Sequence, residues 1–183
     1  MKPKSEDKRE IIQNIKSCIR GLNLPLLGEE RGGKIASIFS KVELEMFSMN
    51  IEVRHFAEHE VVSLGIEFSH AVHQENLNKI YDLMNRVNHR FMDIASFSVW
   101  PPTGEVSVHA GIHVPGNNLN SELFRKSLER LLDHGFAFYG LIVRADVTEA
   151  SPREIVDVFI RRVEACAERR ADIPSSLDAQ DLH

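Results

Sequence analysis

The alternation of apolar and polar positions is clearest between Asn76 and Leu132, where its period changes twice. Leu77, Ile80, Tyr81, Met84 and Val87 recur at helical spacing, which predicts a helix with one apolar face. Lys79, Asp82 and Arg86 fall on its other side. From Phe91 the period becomes that of a strand. Phe91, Asp93, Ala95, Phe97 and Val99 share one predicted face, and Met92, Ile94, Ser96 and Ser98 the other. Pro101, Pro102, Thr103 and Gly104 then supply turn chemistry, because proline presets φ and glycine admits positive φ. The return strand points Val106, Val108, Ala110, Ile112 and Val114 one way and Ser107, His109, Gly111 and His113 the other. Val99 is therefore expected beside Val106 or Val108. One face of such a sheet belongs to a core and the other is partly wet. Pro115, Gly116 and two asparagines close the strand. Asn120 or Ser121 then caps a helix carrying Leu123, Phe124, Leu128, Leu131 and Leu132.

Elsewhere the pattern is less uniform. Ile11, Ile12, Ile15, Cys18 and Ile19 predict an amphipathic first helix, with Ser5 as its cap and Gly21 as its stop. Residues 21–33 are rich in glycine and read as a loop, without the spacing or Lys-Ser/Thr pair of a phosphate-binding loop. Residues 34–68 predict strands: Val42, Leu44 and Met46 alternate with polar neighbours, and Ile51 and Val53 continue the pattern. A short helix over residues 34–48 also fits Ile35, Ile38, Phe39 and Val42. Val62, Leu64, Ile66 and Phe68 share a strand face, with residues 57–60 as the preceding turn. The apolar run Phe136, Phe138, Tyr139, Leu141, Ile142 and Val143 favours an extension of the preceding helix, with a buried strand as the rival. Ser151-Pro152-Arg153-Glu154 has the form of a capping box with proline at the first helical position. It opens a helix bearing Ile155, Phe159, Val163 and Cys166.

The fold expected is a single α+β domain over residues 1–173, with an antiparallel sheet of about five strands flanked by helices. Residues 152–171 form its last helix, and residues 174–183 are read as a disordered polar tail. A chain of 183 residues with 43% hydrophobic and 27% charged content is long enough for a sizeable core. The net charge of −5 argues against nucleic acid as a partner. Arg161, Arg162, Arg169 and Arg170 cluster late in the chain, but they alternate with Glu164 and Glu168 and read as a solvated helix face. Neither a membrane-spanning run nor a signal-peptide apolar region is apparent, so a cytoplasmic location is expected. Cys18 and Cys166 both lie in apolar stripes and are expected to be buried.

Nine histidines are the one compositional excess. His109 and His113 share a strand face at about 13 Å, too far apart to hold one metal ion directly. His55 and His59 flank a turn, His70 and His73 precede the Asn76 helix, and His55 and His109 converge if their strands neighbour suitably. No catalytic, cofactor or metal residue is assigned on this basis. A small metal-dependent enzyme using clustered histidines stands as the alternative reading. No serine sits in a nucleophile elbow. Glu43 and Glu45 share a strand face and read as its wet side. Asp93 shares a face with Ala95 and Phe97 and is expected to be partly buried and hydrogen-bonded.

The run NRVNHRFMDIASFSVWPPTGEVSVHAGIHVPGNNLNSELFRKSLERLL resembles the YbjN family, whose fold is similar to that of type III secretion chaperones. The features that carry the resemblance are the asparagines Asn85 and Asn88 at a helix end, the aromatic-rich strand, Gly104-Glu105, Pro115-Gly116 and the leucine rhythm that follows. It covers roughly residues 40–145; Pro101-Pro102 and the helix after Ser151 depart from it. The resemblance implies a non-enzymatic protein-binding or chaperone-like module, in the manner of a sensory-transduction or stress-response regulator. Its partner would be a protein or an extended polypeptide, held on a hydrophobic groove or a sheet edge. No cofactor is implied. Secretion chaperones are dimers, and the surplus of apolar residues at Phe136, Phe138, Tyr139 and Ile142 makes these the expected interaction surface of a homodimer.

Overall fold

The computed structural model describes residues 5–32, 35–43 and 47–171. Helix α1 (Ser5–Gly21) is followed by strands β1 (Leu26–Gly32), β2 (Ile35–Glu43), β3 (Ser48–Phe56) and β4 (Val61–Ala71). Helix α2 (Leu77–Phe91), strands β5 (Ala95–Trp100) and β6 (Glu105–His113), and helices α3 (Ser121–Val147) and α4 (Pro152–Ala171) complete the chain. The strands form one six-stranded sheet in the order β1-β2-β3-β4-β6-β5, and every neighbouring pair is antiparallel. The expected disordered tail, along with Leu44, Glu45 and Met46, lies outside the described residues.

The sheet follows from its alternation. Ile51, Val53, Val62, Leu64, Ile66, Val106 and Val108 are almost fully buried on one face, while Asn50, Arg54, Glu67 and His109 are exposed on the other. A one-residue slip would exchange these two sets, so burial of one face fixes the register. Val99 pairs with Val106, one of the two partners that the hairpin pattern allows. In the turn between them Gly104 has φ of 73°, and a Cβ there would lie 2.2 Å from the Val72 carbonyl oxygen. The same residue accepts the Val72 N–H at 2.8 Å, so the hairpin turn is tied to the exit of β4. Both conformation and space demand glycine at this position.

Four details depart from the sequence reading. Residues 26–32 form β1 rather than a loop, which gives the sheet its sixth strand. This strand lies at the edge with most of its residues exposed, so backbone pairing to β2 holds it and no apolar alternation announces it. Phe91 ends α2 instead of opening β5. It stands four residues beyond Val87, so the helical period continues through it, and its ring packs 5.3 Å from that of Phe138. Asp93 accordingly lies in a bend, where it is exposed and pairs with Arg130 at 2.6 Å. Leu83 joins Ile80, Met84 and Val87 in the buried stripe of α2, and Tyr81 is 37% exposed.

Residues 136–143 are helical, within a continuous α3 of 27 residues. Asn120 caps its start by accepting the Leu123 N–H at 3.0 Å. The helix lies on the sheet through Phe124, Leu128, Leu131, Phe138, Tyr139 and Ile142. Tyr139 stacks on Phe68 of β4 with ring centroids 3.9 Å apart. Gly135 allows this approach, since a Cβ there would sit 3.3 Å from Phe68.

Candidate functional site

The last two helices leave an open groove on the side of α3 that faces away from the sheet. Ser151 starts α4: its backbone N–H donates to the Glu154 carboxylate at 2.8 Å and its hydroxyl accepts the Glu154 N–H at 3.3 Å, the two bonds of the expected capping box. Ile155 and Val156 are buried, and the Phe159 ring packs against Phe91 and Phe138 at 5.7 and 5.2 Å. These contacts fix α4 against α2 and α3. Beyond them Ala137, Gly140, Leu141 and Arg144 of α3 face Phe159, Arg162, Val163 and Cys166 of α4 around a groove of about 660 Å³. The volume lies within the usual range of ligand clefts.

Two local features of the groove lack a structural explanation among the described residues. Gly140 occupies the middle of α3, yet a Cβ built there would meet nothing within 4 Å. A mid-helix glycine costs about 0.8–1.0 kcal/mol relative to alanine, and no neighbour requires it here as Phe68 requires Gly135. The second feature is charge. Arg86, Arg125, Lys126 and Arg153 each pair with an acid four residues away on their own helix. Arg144 and Arg162 have no acid three or four residues away in either direction. Among the described residues no carboxylate pairs with either. An apolar floor thus carries one uncompensated guanidinium on each wall, in a chain of net charge −5.

The final turn of α3 is held by a buried carboxylate. Asp146 Oδ2 lies 3.1 Å from His70 Nε2 and 2.8 Å from His73 Nδ1. Its Oδ1 accepts from the His73 backbone N–H and from Asn76 Nδ2, both at 3.0 Å. Asn76 also donates to the Asp146 carbonyl at 2.7 Å. Burial acts to raise the carboxyl pKa, but the bonds from Asn76, His73 and His70 outweigh it and hold the group below its ordinary value. This hub joins the end of β4, the entry to α2 and the last turn of α3, and so sets where the groove wall stands. His70 and His73 were visible in the sequence; their partner was not. The available signal was an acid in the last turn of a helix, where the macrodipole disfavours negative charge and a compensating partner is needed.

The remaining histidines do not converge. His55 is buried on the helix-covered face, where its Nε2 lies 2.8 Å from Asn117 Oδ1. His109 lies on the open face of β6, so the sheet separates it from His55. Its Nε2 lies 2.8 Å from Ser107 Oγ, which in turn lies 2.9 Å from Ser98 Oγ. Its surroundings on the sheet surface desolvate the ring and push its pKa below the ordinary value, against the pull of Glu67. His113 is exposed, 3.9 Å from Glu60. Among the described residues no group of three or more His, Cys, Asp or Glu is placed to hold a metal ion. No helix among them is long and apolar enough to cross a membrane.

Of the residues expected to form an interaction surface, Phe138, Tyr139 and Ile142 lie in the intramolecular core at 5%, 2% and 1% exposure, and Phe136 remains 41% exposed. Tyr139 stacks on Phe68 of the sheet, and Phe138 packs against Phe91 of α2 and Phe159 of α4. Burial also pushes the Tyr139 hydroxyl pKa up to about 12. Cys18 is half-buried, and Cys166, expected in a buried stripe, is exposed at the groove. Glu43 is exposed at the end of β2 and pairs with Lys41 at 2.8 Å. No family model, curated protein or solved structure matches the chain.

Proposed function

We propose that this chain is a non-enzymatic protein-binding module, of YbjN or secretion-chaperone type, that takes a segment of a partner protein into the groove between α3 and α4. The observation that carries the reading is the apolar floor flanked by the unpaired Arg144 and Arg162. The order of elements is compatible with it: helix, four antiparallel strands, helix, hairpin and helix. Addition of a partner strand is the less favoured mode, because both sheet edges are guarded. Asn88 donates to the Phe97 carbonyl at 2.9 Å and accepts the Phe97 N–H at 2.7 Å, so its amide occupies the outer side of β5. On β1, Glu29 is tied to Lys16 and Arg31, which places charge along that edge. A cytoplasmic location, no cofactor, and neither nucleic acid nor membrane as partner belong to the same proposal.

The exposed Cys166 provides the test. A benzophenone attached to it should photocrosslink the purified chain to a polypeptide from its host. Filling the groove with Gly140→Trp should abolish the adduct. An absent adduct, or one indifferent to Gly140→Trp, removes the reading. The competing metal-dependent enzyme would need ligands beyond those that the described residues bring together. Stoichiometric tightly bound metal that disappears in a His70→Ala, His73→Ala variant would favour that enzyme instead.

A further inference from the structure

We infer that the segment taken by the groove is an amphipathic α-helix with acidic residues along its flanks. This rests on the protein-binding reading and narrows it to one kind of partner. The argument begins with backbone hydrogen bonds. Both walls of the groove are helices, so their interior N–H and C=O groups are already bonded within each helix. An extended segment laid between them would bury its own polar groups against side chains that offer few partners. A helical segment satisfies those groups internally and presents only an apolar stripe.

The floor fits such a stripe. Ala137 and Gly140 stand three residues apart on α3, and the space above Gly140 is open. Small residues at this spacing let a second helix axis approach to about 8 Å, the near end of ordinary helix packing. The glycine that no described neighbour requires is then explained by what lies against it. From Ala137 to Arg144 the wall runs about two turns, roughly 10 Å. An incoming helix would bury residues at i, i+3 or i+4, and i+7 against Leu141, Phe159 and Val163.

Charge sets the flanks. Arg144 rises from α3 and Arg162 from α4, so the two guanidiniums belong to opposite walls. Neither has a carboxylate partner among the described residues. Acidic residues bordering the apolar stripe of the partner would meet one arginine on each side. A basic helix of the same shape would meet like charge on both.

Synthetic peptides of about 14 residues, long enough for roughly 21 Å of helix, test this by fluorescence polarisation. One repeats leucine pairs flanked by glutamate; the second carries lysine for every glutamate. A third keeps the acidic composition but has two central prolines that forbid the helix. The full chain should bind the acidic helix about tenfold more tightly than either of the others, on the scale of two partly screened ion pairs. That preference should weaken as salt is raised. Arg144→Glu with Arg162→Glu should turn the preference toward the lysine peptide. Arg162→Glu alone, at an exposed position, should abolish the preference if the double variant does not fold. Equal binding of the lysine or proline peptide overturns the inference and leaves the wider reading to the Cys166 crosslink. Binding of none of the three, or a groove occupied by a second copy that Gly140→Trp releases in light scattering, overturns it as well.

Discussion

Two glycines in α3 show how much a single position depends on what surrounds it. Gly135 and Gly140 share a helix and a residue type, and both carry the entropic cost of glycine in a helix interior. At Gly135 a Cβ would press on the Phe68 ring at 3.3 Å, and that ring is already stacked on Tyr139. At Gly140 it would enter empty space. Gly140→Ala should therefore stabilise the protein by about 0.5–1 kcal/mol, raising Tm by a few degrees. Gly135→Ala should stabilise it little or destabilise it, because overpacking costs about 1–3 kcal/mol and offsets the gain in helix propensity. Urea unfolding of the two variants beside the parent decides the matter. Equal stabilisation by both would mean that Phe68 yields freely and that Gly135 owes nothing to packing. A stabilising Gly140→Ala would show that packing among the described residues does not require this glycine.

Elements with one buried face were legible in the sequence, and those without one were not. The β5–β6 hairpin followed from strict alternation, since one face is core and the other wet; alternation left Val106 and Val108 both open as partners of Val99, and the turn geometry selects Val106. The extension of α3 through residues 136–143 followed from continuity with the leucine pattern before it. The edge strand β1 has no comparable pattern, because what holds it is backbone pairing rather than buried side chains. Phe91 and Asp93 were drawn into a strand period that begins only at Ala95. The groove was illegible for a different reason. The missing acid neighbours of Arg144 and Arg162 can be counted in the sequence, but they matter only once α3 and α4 stand side by side. The junction that positions α3 depends on Asp146, whose side chain is fully buried. Its folded pKa lies below the ordinary carboxyl value of about 3.9. The stability it contributes is therefore fully present above that value and is lost as pH falls through the folded pKa. Asp146→Asn should cost about 2 kcal/mol at neutral pH, the scale of hydrogen bonds to a charged group. The deficit should shrink as pH is lowered below about 4, where the unfolded chain's Asp146 takes up a proton that the folded carboxylate still resists. Chemical denaturation of both proteins across an acid pH series reads this directly; a constant deficit at every pH would assign the cost to shape rather than charge.

At the scale of the whole molecule, the architecture has to keep its sheet edges closed to other chains. A six-stranded open sheet has two edges, and unpaired edge groups recruit strands from other chains. On β5 the Asn88 side chain stands in for a neighbouring strand, bonding both the N–H and the carbonyl of Phe97. That single amide comes from α2, so closure of the edge depends on correct docking of a helix that also packs against α4. Asn88→Ala should leave both Phe97 groups open. The loss of two neutral hydrogen bonds should cost about 1–3 kcal/mol of stability. The more telling effect is on association. A variant that remains folded by circular dichroism should self-associate with rising concentration in light scattering, to a greater extent than its parent. Asn88→Asp keeps an acceptor for the Phe97 N–H and adds charge at the edge. It should lose stability while associating less than Asn88→Ala. If Asn88→Ala stays in the parent's oligomeric state at every concentration, the edge is protected by something other than this amide, and strand addition at β5 returns as a rival to the α3–α4 groove. If it associates as expected, the β5 edge is closed by this one amide, and the groove between α3 and α4 stands as the surface proposed for a partner.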